Sequence, residues 1–192
     1  MRVISGKARG TKLSSIESLD TRPTLDRVKE ALFNIIQNKI EDSIVLDLFA
    51  GSGAIGIEFI SRGCKEAYFC EKSSEAAKMI EQNLTKTKFT ESSKLLVQDY
   101  KKALKKFQTE NIAFDIIYID PPYKADIAVE ATRLIISMGL LKQNGIIIIE
   151  TDEKERELEG LGELQVKIFD LRKYGRASLI FLNQEEVGKE LN

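Results

Sequence analysis

The sequence predicts an α/β fold: a seven-stranded, mostly parallel sheet with helices on both faces, a C-terminal antiparallel hairpin and a short N-terminal extension. Short apolar, β-rich runs alternate with segments of helical period through most of the chain. A glycine-rich loop directly follows the first of these runs. After Glu150 the alternation is replaced by two apolar runs joined by a turn at Tyr174-Gly175, which is typical of a closing hairpin.

The elements follow in order from these patterns. The β-rich runs predict strands at residues 44–48, 67–70, 94–97, 114–119, 145–150, 164–170 and 177–182. Helical spacing predicts helices at 24–39, 55–61, 74–84 and 127–138. For the N-caps we expect Thr24 in the first helix, Ser73 or Ser74 in the third and Asp126 in the fourth, with Asp26 favourable in the first turn of the leading helix.

The size of the chain points to one core. With 192 residues, 43% of them hydrophobic, we expect a single domain made of an N-terminal extension (1–23), the leading helix (24–39) and a catalytic core (40–192). The start of the chain lacks the apolar segment of a signal peptide, and no apolar run approaches the roughly 18 residues of a membrane span. We therefore expect a cytoplasmic monomer with no membrane partner, in which Cys64 and Cys70 are reduced thiols.

Charge and composition exclude several classes of function. The 29 basic and 30 acidic side chains give a net charge of -1, so the chain is not a uniformly basic coat for nucleic acid. The chain contains no histidine, which excludes imidazole as a general base. Without histidine and with only two cysteines, it lacks nearly every set of residues that binds zinc, so no metal is expected. The first fifteen residues hold four basic side chains and no acid, and they predict a local RNA contact: Arg2, Lys7, Arg9 and Lys12. The alternative for this segment is a solvated terminus.

The glycine loop predicts a nucleoside site. Gly51 to Gly56 spell G-x-G-x-x-G between a strand and a helix, where glycines permit a tight turn and let a ligand lie against bare backbone. Glu71 follows Gly51 by twenty residues at the end of the second strand and can accept hydrogen bonds from two ribose hydroxyls. The alternative is that the glycines serve helix packing and that Glu71 is solvated.

A second motif joins a strand to a stiff turn. The apolar run 114–119 leads into Asp120, Pro121, Pro122 and Tyr123. Proline fixes its own φ, disfavours helix in the residue before it and has no N–H to compete for its carbonyl. Such a turn suits a planar base with an exocyclic amine, because Tyr123 can stack on the ring while Asp120 and the Pro121 carbonyl accept the amine hydrogens. A purely structural turn is the alternative.

The loop resembles the first motif of class I methyltransferases, which have a Rossmann-like fold. The resemblance covers Asp47-Leu48-Phe49-Ala50-Gly51-Ser52-Gly53 and implies that this loop binds S-adenosylmethionine, with Asp47 near the ammonium group of the cofactor. It also implies that Asp99 accepts a hydrogen bond from the adenine amine. The alternatives are that Asp47 caps the turn and that Asp99 is a helix N-cap. The Asp-Pro-Pro-Tyr turn resembles the fourth motif of enzymes that methylate adenine N6, guanine N2 or a glutamine amide.

Across nearly its whole length the chain resembles the bacterial ribosomal RNA small-subunit methyltransferase D family. The resemblance rests on Arg2 to Lys7 with Arg9-Gly10, on Arg22-Pro23-Thr24 with the run 27–34, and on the two motifs above. It implies that the enzyme methylates N2 of a guanine, conventionally numbered 966, in 16S rRNA of the assembled small ribosomal subunit. It further implies that Arg22, Pro23 and Thr24 shape the pocket for cofactor and base. The N-terminal segment is less basic than the family pattern, since Glu17 and Asp20 follow it.

Other functions compete with this one. A nicotinamide-dependent oxidoreductase would use the glycine loop and Glu71 equally well, and Tyr68 and Lys72 even have the spacing of a reductase pair. On a strand, however, these two lie roughly 13 Å apart, and the Asp-Pro-Pro-Tyr turn would have no role. Amino-methyltransferases acting on DNA adenine or on a protein glutamine remain as alternatives, although no separate DNA-recognition domain is visible.

Overall fold

The computed structural model describes residues 1–15, 23–122 and 127–185, without the side chains of 23–25. The helices of these ranges are α1 (Pro23–Ile36), α2 (Ala54–Ser61), α3 (Ser74–Thr87), α4 (Tyr100–Thr109), α5 (Ile127–Ser137) and α6 (Lys154–Leu161). Two short 3-10 turns lie at Gln37–Lys39 and Thr90–Ser92. Within the described ranges, every helix is too short or too polar to cross a bilayer.

One seven-stranded sheet organises the molecule. Its strands are β1 (Ile44–Asp47), β2 (Glu66–Glu71), β3 (Ser93–Val97), β4 (Phe114–Ile119), β5 (Leu141–Thr151), β6 (Val166–Tyr174) and β7 (Ala177–Gln184). They lie in the order β3-β2-β1-β4-β5-β7-β6. The first five strands are parallel, and β7 inserts antiparallel between β5 and β6. The predicted α/β fold, with its mostly parallel sheet and closing hairpin, is confirmed.

The predicted boundaries hold best where a continuous apolar run or a capping residue marks them. Strand β4 has the predicted bounds, and Ser73 caps α3 by accepting a hydrogen bond from the Ala76 amide at 3.3 Å. Strand β5 begins four residues earlier than predicted. Helices α4 and α6 were not assigned from the sequence; α4 buries Tyr100, Ala103, Leu104 and Phe107 at helical spacing between lysines that mask the pattern.

The two faces of the sheet are covered by different helices. Successive strand residues point to opposite faces, so Ile116 and Ile148 pack with α1, α2 and α3, whereas Ile117 and Ile149 pack with α4, α5 and α6. The central parallel strands are therefore apolar on both sides, and strand ends are where their polar side chains reach a ligand. Cys64 and Cys70 are free and buried, and burial raises the pKa of each thiol to about 12.

The N-terminal extension folds back on itself as a hairpin. The Val3 amide donates to Thr11 O at 3.0 Å, the Gly10 amide donates to Val3 O at 2.9 Å, and Arg2 and Lys12 form an antiparallel bridge. Val3, Ala8 and Leu13 are buried in the core that α1, α2 and α3 share. Residues 1–13 therefore form a packed part of the fold, which rules out a solvated terminus over this stretch.

A buried ionic cluster fastens the hairpin to the helices. The Glu58 carboxylate, fully buried on α2, accepts from the amides of Ile4 and Ser5 at 2.8 and 3.0 Å. It also pairs with Lys29 at 3.2 Å and Arg62 at 2.8 Å. Lys29 Nζ in turn donates to Arg2 O at 2.7 Å. Burial lowers the pKa of Lys29, and the charge of Glu58 opposes that shift.

Glu58→Gln tests this cluster. Because the change leaves the buried Lys29 charge without its counter-ion, we expect the free energy of unfolding to fall by about 3 to 5 kcal/mol. Urea unfolding measures the loss, and limited proteolysis should show the hairpin becoming accessible first. Glu110→Gln is the matched control: its pair with Lys106 is exposed and 3.8 Å long, so it should cost less than about 1 kcal/mol. Equal losses in both variants would contradict the assignment.

Candidate active site

The carboxyl edge of the sheet gathers four of the carboxylates singled out in the sequence. Asp47 ends β1, Glu71 ends β2, and Asp99 and Asp120 follow β3 and β4. Strands β1 and β4 are neighbours in the sheet. Strands β2 and β3 follow on the outer side of β1, and the strands after β4 lie on the other side of the pair. In open α/β sheets this reversal of strand order leaves a crevice at the carboxyl ends, where ligands bind.

The glycine loop turns sharply at the mouth of this crevice. Gly51 and Gly53 adopt left-handed φ angles of 53° and 79°, which other residues adopt only with strain. A Cβ on Gly51 would meet nothing within 4 Å, so its backbone is open to a ligand. Gly56 differs, since a Cβ there would lie 2.2 Å from the ring of Phe69. The third glycine therefore serves helix–strand packing.

A cavity of about 410 Å³ lies beside the loop. Apolar and aromatic walls come from Leu48, Phe49, Tyr100 and Ile127, and its polar lining includes Glu71, Gln98, Asp99 and Asp120. The Nε2 donor of Gln98 is buried and has no hydrogen-bond partner within the described part of the chain. A cavity with apolar and aromatic walls, an unused donor and carboxylates in its lining suits a nucleoside.

Backbone amides orient two of these carboxylates. Glu71 accepts from the Gly51 amide at 2.9 Å and from the Ser73 amide at 2.8 Å, one bond to each oxygen. Asp99 caps α4 by accepting from the Lys101 amide at 2.9 Å, so the N-cap alternative holds for Asp99 while it also lines the cavity. A carboxylate oxygen accepts more than one hydrogen bond, and both side chains keep acceptor capacity for a ligand.

A second cavity of about 180 Å³ continues from the first. The two share Phe49, Gly51 and Asp120 in their walls. The second is strongly acidic, because Asp26, Asp47, Asp120 and Glu150 line it beside Ala50, Ser52, Tyr118, Lys29 and other residues. Lys29 is the basic side chain in this lining, and it is already paired with Glu58. A cationic group is therefore the natural occupant of this cavity.

Asp47 lies deepest in this acidic cavity. Its carboxylate is 1% exposed and accepts from the Gly56 amide at 3.0 Å. Burial raises the pKa of Asp47 to about 7; the Gly56 hydrogen bond opposes the shift and the charge of Glu71 adds to it. The alternative role predicted for Asp47 was to cap the turn. Its carboxylate does accept from a backbone amide, but that amide belongs to Gly56, inside α2 and beyond the turn.

Asp120 and Glu150 share the rim of the acidic cavity. Burial deep in the cleft raises the pKa of Asp120 well above its ordinary value, and the charges of Glu150, Asp47 and Asp152 raise it further. Although many protein atoms surround its carboxyl group, Asp120 has an exposed surface, and the water that reaches it makes the rise in pKa smaller. Burial also raises the pKa of Glu150, while the hydroxyl of Tyr118, which donates to Glu150 Oε2, opposes it.

The proline turn leaves the sheet at this rim. Asp120 is followed by Pro121 and Pro122, and Pro122 lines the larger cavity. Tyr123, Arg22, Asp126 and the side chain of Thr24 lie outside the described residues, so their predicted roles stay predictions. Helix α1 begins at Pro23, so Thr24 lies inside the first turn and the prediction that it is the N-cap is wrong; proline, with its fixed φ, is itself favoured at the first helical position. Asp26 lies in that turn, as expected.

The basic residues of the extension separate into two groups. Arg2 and Lys12 lie opposite each other in the antiparallel backbone bridge at the open end of the hairpin. Met1, the first residue of the hairpin, lines the acidic cavity. Lys7 and Arg9 lie at the tip, where the Lys7 amide donates to Ser61 O at the end of α2. The tip therefore lies toward the amino ends of the strands, at the edge opposite the crevice. All four side chains are exposed.

Several site residues were missed in the sequence. Glu150 and Tyr118 belong to the acidic cavity, and the position of Glu150 at the end of a strand was a usable signal. Asn83, fully buried on α3, donates to Ser14 O and to Ser52 O at 2.9 Å each and accepts from the Ser14 amide at 2.8 Å. Asn83 thus joins the exit of the hairpin to the glycine loop, a contact between residues 69 and 31 positions apart that no local pattern reveals.

Comparisons with known proteins agree with this architecture. A family model described as conserved hypothetical protein 95 matches residues 1–183. The chain is 38% identical over 159 residues to the Haemophilus influenzae protein named ribosomal RNA small subunit methyltransferase D, a match that covers 82% of this chain and 81% of that protein. It is 32% identical over 152 residues to the Escherichia coli K12 protein of that name, covering 79% and 75% of the two chains.

Solved structures give the same result. The Escherichia coli protein yhhF superimposes with a TM-score of 0.80 at 25% identity, covering 97% of this chain and 98% of that one. A hypothetical protein of Thermus thermophilus superimposes with a TM-score of 0.78 at 26% identity, covering 94% and 98%. The likeness therefore extends over the hairpin, the sheet and the crevice together.

Asp47→Asn tests the acidic cavity through pH. Because the pKa of Asp47 is raised in the folded protein, the folded state binds this proton more tightly than the unfolded state does. Its contribution to stability is therefore lost as pH rises from about 4 to about 7. The asparagine variant has no such loss. We expect the stability of Asp47→Asn relative to wild type to be greater at pH 8 than at pH 5 by roughly 2 to 3 kcal/mol.

Urea unfolding of the ligand-free protein at the two pH values measures this difference. Glu91→Gln, at an exposed position, is the control: it should change the free energy of unfolding by the same small amount at pH 5 and at pH 8. An Asp47→Asn effect that does not change with pH would contradict the raised pKa.

Proposed function

We propose that this chain, which belongs to the ribosomal RNA small subunit methyltransferase D family, transfers a methyl group from S-adenosylmethionine to the exocyclic N2 amine of a guanine in 16S ribosomal RNA. The observation that carries the proposal is the position of Asp120 and the proline turn where the two cavities meet. One cavity suits a nucleoside and the other a cation. Asp120, in the walls of both, therefore stands where a methyl group on a charged sulfur would be presented.

The residues present fit S-adenosylmethionine. Bound in the crevice, it supplies a methyl group on a positively charged sulfur, which leaves as a neutral thioether. Glu71 is placed to accept from the ribose hydroxyls, and Asp99 and Gln98 to meet the polar edge of adenine between the apolar walls. Asp47, the most deeply buried carboxylate of the acidic cavity, offers negative charge to the ammonium group.

Asp120 and Pro121 orient the amine of the base. An amine conjugated to a ring is a weak nucleophile until its lone pair points at the electrophile. The Asp120 carboxylate and the Pro121 carbonyl can each accept one amine hydrogen, which turns the lone pair toward the methyl group. Correct orientation alone can lower the barrier by about 7 to 11 kcal/mol at best. No histidine is needed for this step.

Asp120 also serves the charge that develops during transfer. As the new N–C bond forms, positive charge appears on the amine nitrogen, and the carboxylate stabilises it. The same carboxylate is placed to accept the proton that the product amine releases. The same side chain thus orients the amine and receives its proton.

The N-terminal hairpin provides the RNA contact in this proposal. Its four basic side chains are exposed on a rigid element that is buried along one side, so they present charge at a fixed distance from the crevice. Arg2 and Lys12 would meet phosphates near the flipped guanine. Lys7 and Arg9, at the tip, would meet phosphates farther along the RNA.

Labelled methyl transfer tests the reaction directly. Small subunits isolated from cells that lack this protein are incubated with the enzyme and labelled S-adenosylmethionine, and nuclease digestion should yield N2-methylguanosine. Asp120→Ala should lower kcat by about a hundredfold or more and leave cofactor affinity nearly unchanged. Gly53→Val should abolish both, since it strains the left-handed turn. Wild-type turnover by Asp120→Ala, or label in no RNA at all, would overturn the proposal.

The RNA contact is tested by salt dependence. Lys7→Glu with Arg9→Glu should raise KM for the subunit, leave kcat unchanged, and lower the slope of log affinity against log salt by about 0.7 to 0.9 for each lost phosphate contact. Lys105→Glu is the control, because this exposed lysine lies on α4, on the other face of the sheet. A similar loss in both variants would show a general charge effect and contradict a docking role for the hairpin.

A further inference from the structure

Glu150 lies directly beside the residue proposed to hold the reacting amine. The last paired residues of β4 and β5 are Ile119 and Ile149, so Asp120 and Glu150 follow side by side on neighbouring parallel strands. Parallel strands lie about 4.8 Å apart, and residues in register project to the same face. Both residues line the acidic cavity. Any group bound to Asp120 there is therefore within reach of Glu150.

One of the two carboxylate oxygens of Glu150 is held by a hydrogen bond within the described part of the chain. Tyr118, whose ring is buried, donates its hydroxyl proton to Glu150 Oε2. That bond fixes the orientation of the carboxylate and favours its charged form. It uses one oxygen of the pair, and Oε1 retains its acceptor capacity. Asp47, in contrast, is almost fully buried behind the glycine loop.

The amines of the bases differ in their immediate neighbours. Guanine carries a donor, N1–H, next to its N2 amine on the Watson–Crick edge. Adenine and cytosine carry an unprotonated ring nitrogen, an acceptor, next to theirs. An acceptor placed beside the amine site therefore favours guanine, and it repels the lone pair that the other two bases would present.

We propose that Glu150 is the specificity-determining residue of this site and that it selects guanine by accepting the N1–H hydrogen bond through Oε1, while Asp120 holds the neighbouring amine. The inference rests on the proposed function, which it deepens by naming how the base is chosen. In this arrangement Tyr118 is a positioning residue, because it acts on the base only through Glu150.

A base analogue separates this role from a structural one. 2-Aminopurine keeps the N2 amine but has no hydrogen on N1. Subunits are reassembled with 16S RNA that carries either guanine or 2-aminopurine at the position that the enzyme labels, and kcat/KM is measured for each. The wild type should prefer guanine by about 10- to 100-fold. Glu150→Gln can offer an amide N–H to the unprotonated N1, so its preference should fall at least about tenfold or reverse.

Two controls accompany the variant. Asp152→Asn removes the charge of an exposed carboxylate that lies two residues away and acts on Asp120 only through its charge. It can change kcat for both bases alike, and it should leave the preference between them unchanged, because Asp152 does not line either cavity. The dissociation constant for S-adenosylmethionine shows whether Glu150→Gln is folded and binds cofactor. We expect this constant to rise by less than about tenfold, because Glu150 is one of several carboxylates of the acidic cavity and Asp26, Asp47 and Asp120 remain.

The outcomes are distinct. If the wild type methylates guanine and 2-aminopurine with equal kcat/KM, the proposed role of Glu150 is overturned, whatever the variants do. The proposed function would remain intact. An unchanged preference in Glu150→Gln together with weaker cofactor binding would assign Glu150 to the cofactor, which also overturns the inference. Failure of the wild type to methylate guanine at all would overturn the proposed function, and this inference with it.

Discussion

The double burial of the central parallel strands is the constraint on which the rest of the structure depends. Because helices cover both faces, side chains along β1, β4 and β5 are apolar on both sides, and polar groups are placed where strands end. Parallel strands all end at one edge, so the carboxylates that follow different strands are forced together there. The active site is thus a direct result of sheet geometry, assembled from residues more than seventy positions apart.

This gathering of carboxylates has an electrostatic cost. Asp47, Asp120 and Glu150 share a small cavity, and the pKa of each is raised by burial. A ligand that carries positive charge relieves the repulsion as it binds, whereas an anionic dinucleotide phosphate would add to it. The same glycine loop occurs in nicotinamide enzymes, and the acidic lining around it favours a cationic cofactor here.

Much of the fold could be predicted from the sequence, because short apolar, β-rich runs and the glycine loop are local signals. The bounds of β4, the Ser73 cap and the closing hairpin follow from such patterns. The sequence also placed Asp47, Glu71, Asp99 and Asp120 at strand ends. Asn83 was missed because its partners, Ser14 and Ser52, are remote in sequence and meet it only through packing. Glu150 stood at a predicted strand end, but its contact with Tyr118 arises only in the folded sheet. Helix α4 was missed because its lysines conceal a buried stripe.

Asn83 has a consequence for how the chain tolerates substitution. Its side-chain amide bonds Ser14, where the chain leaves the N-terminal hairpin, and Ser52 of the glycine loop at once. Because all three hydrogen bonds involve one buried side chain, a substitution that removes it leaves backbone groups of both segments without a partner. A single change that touches neither cavity would therefore disturb the hairpin and the cofactor loop together.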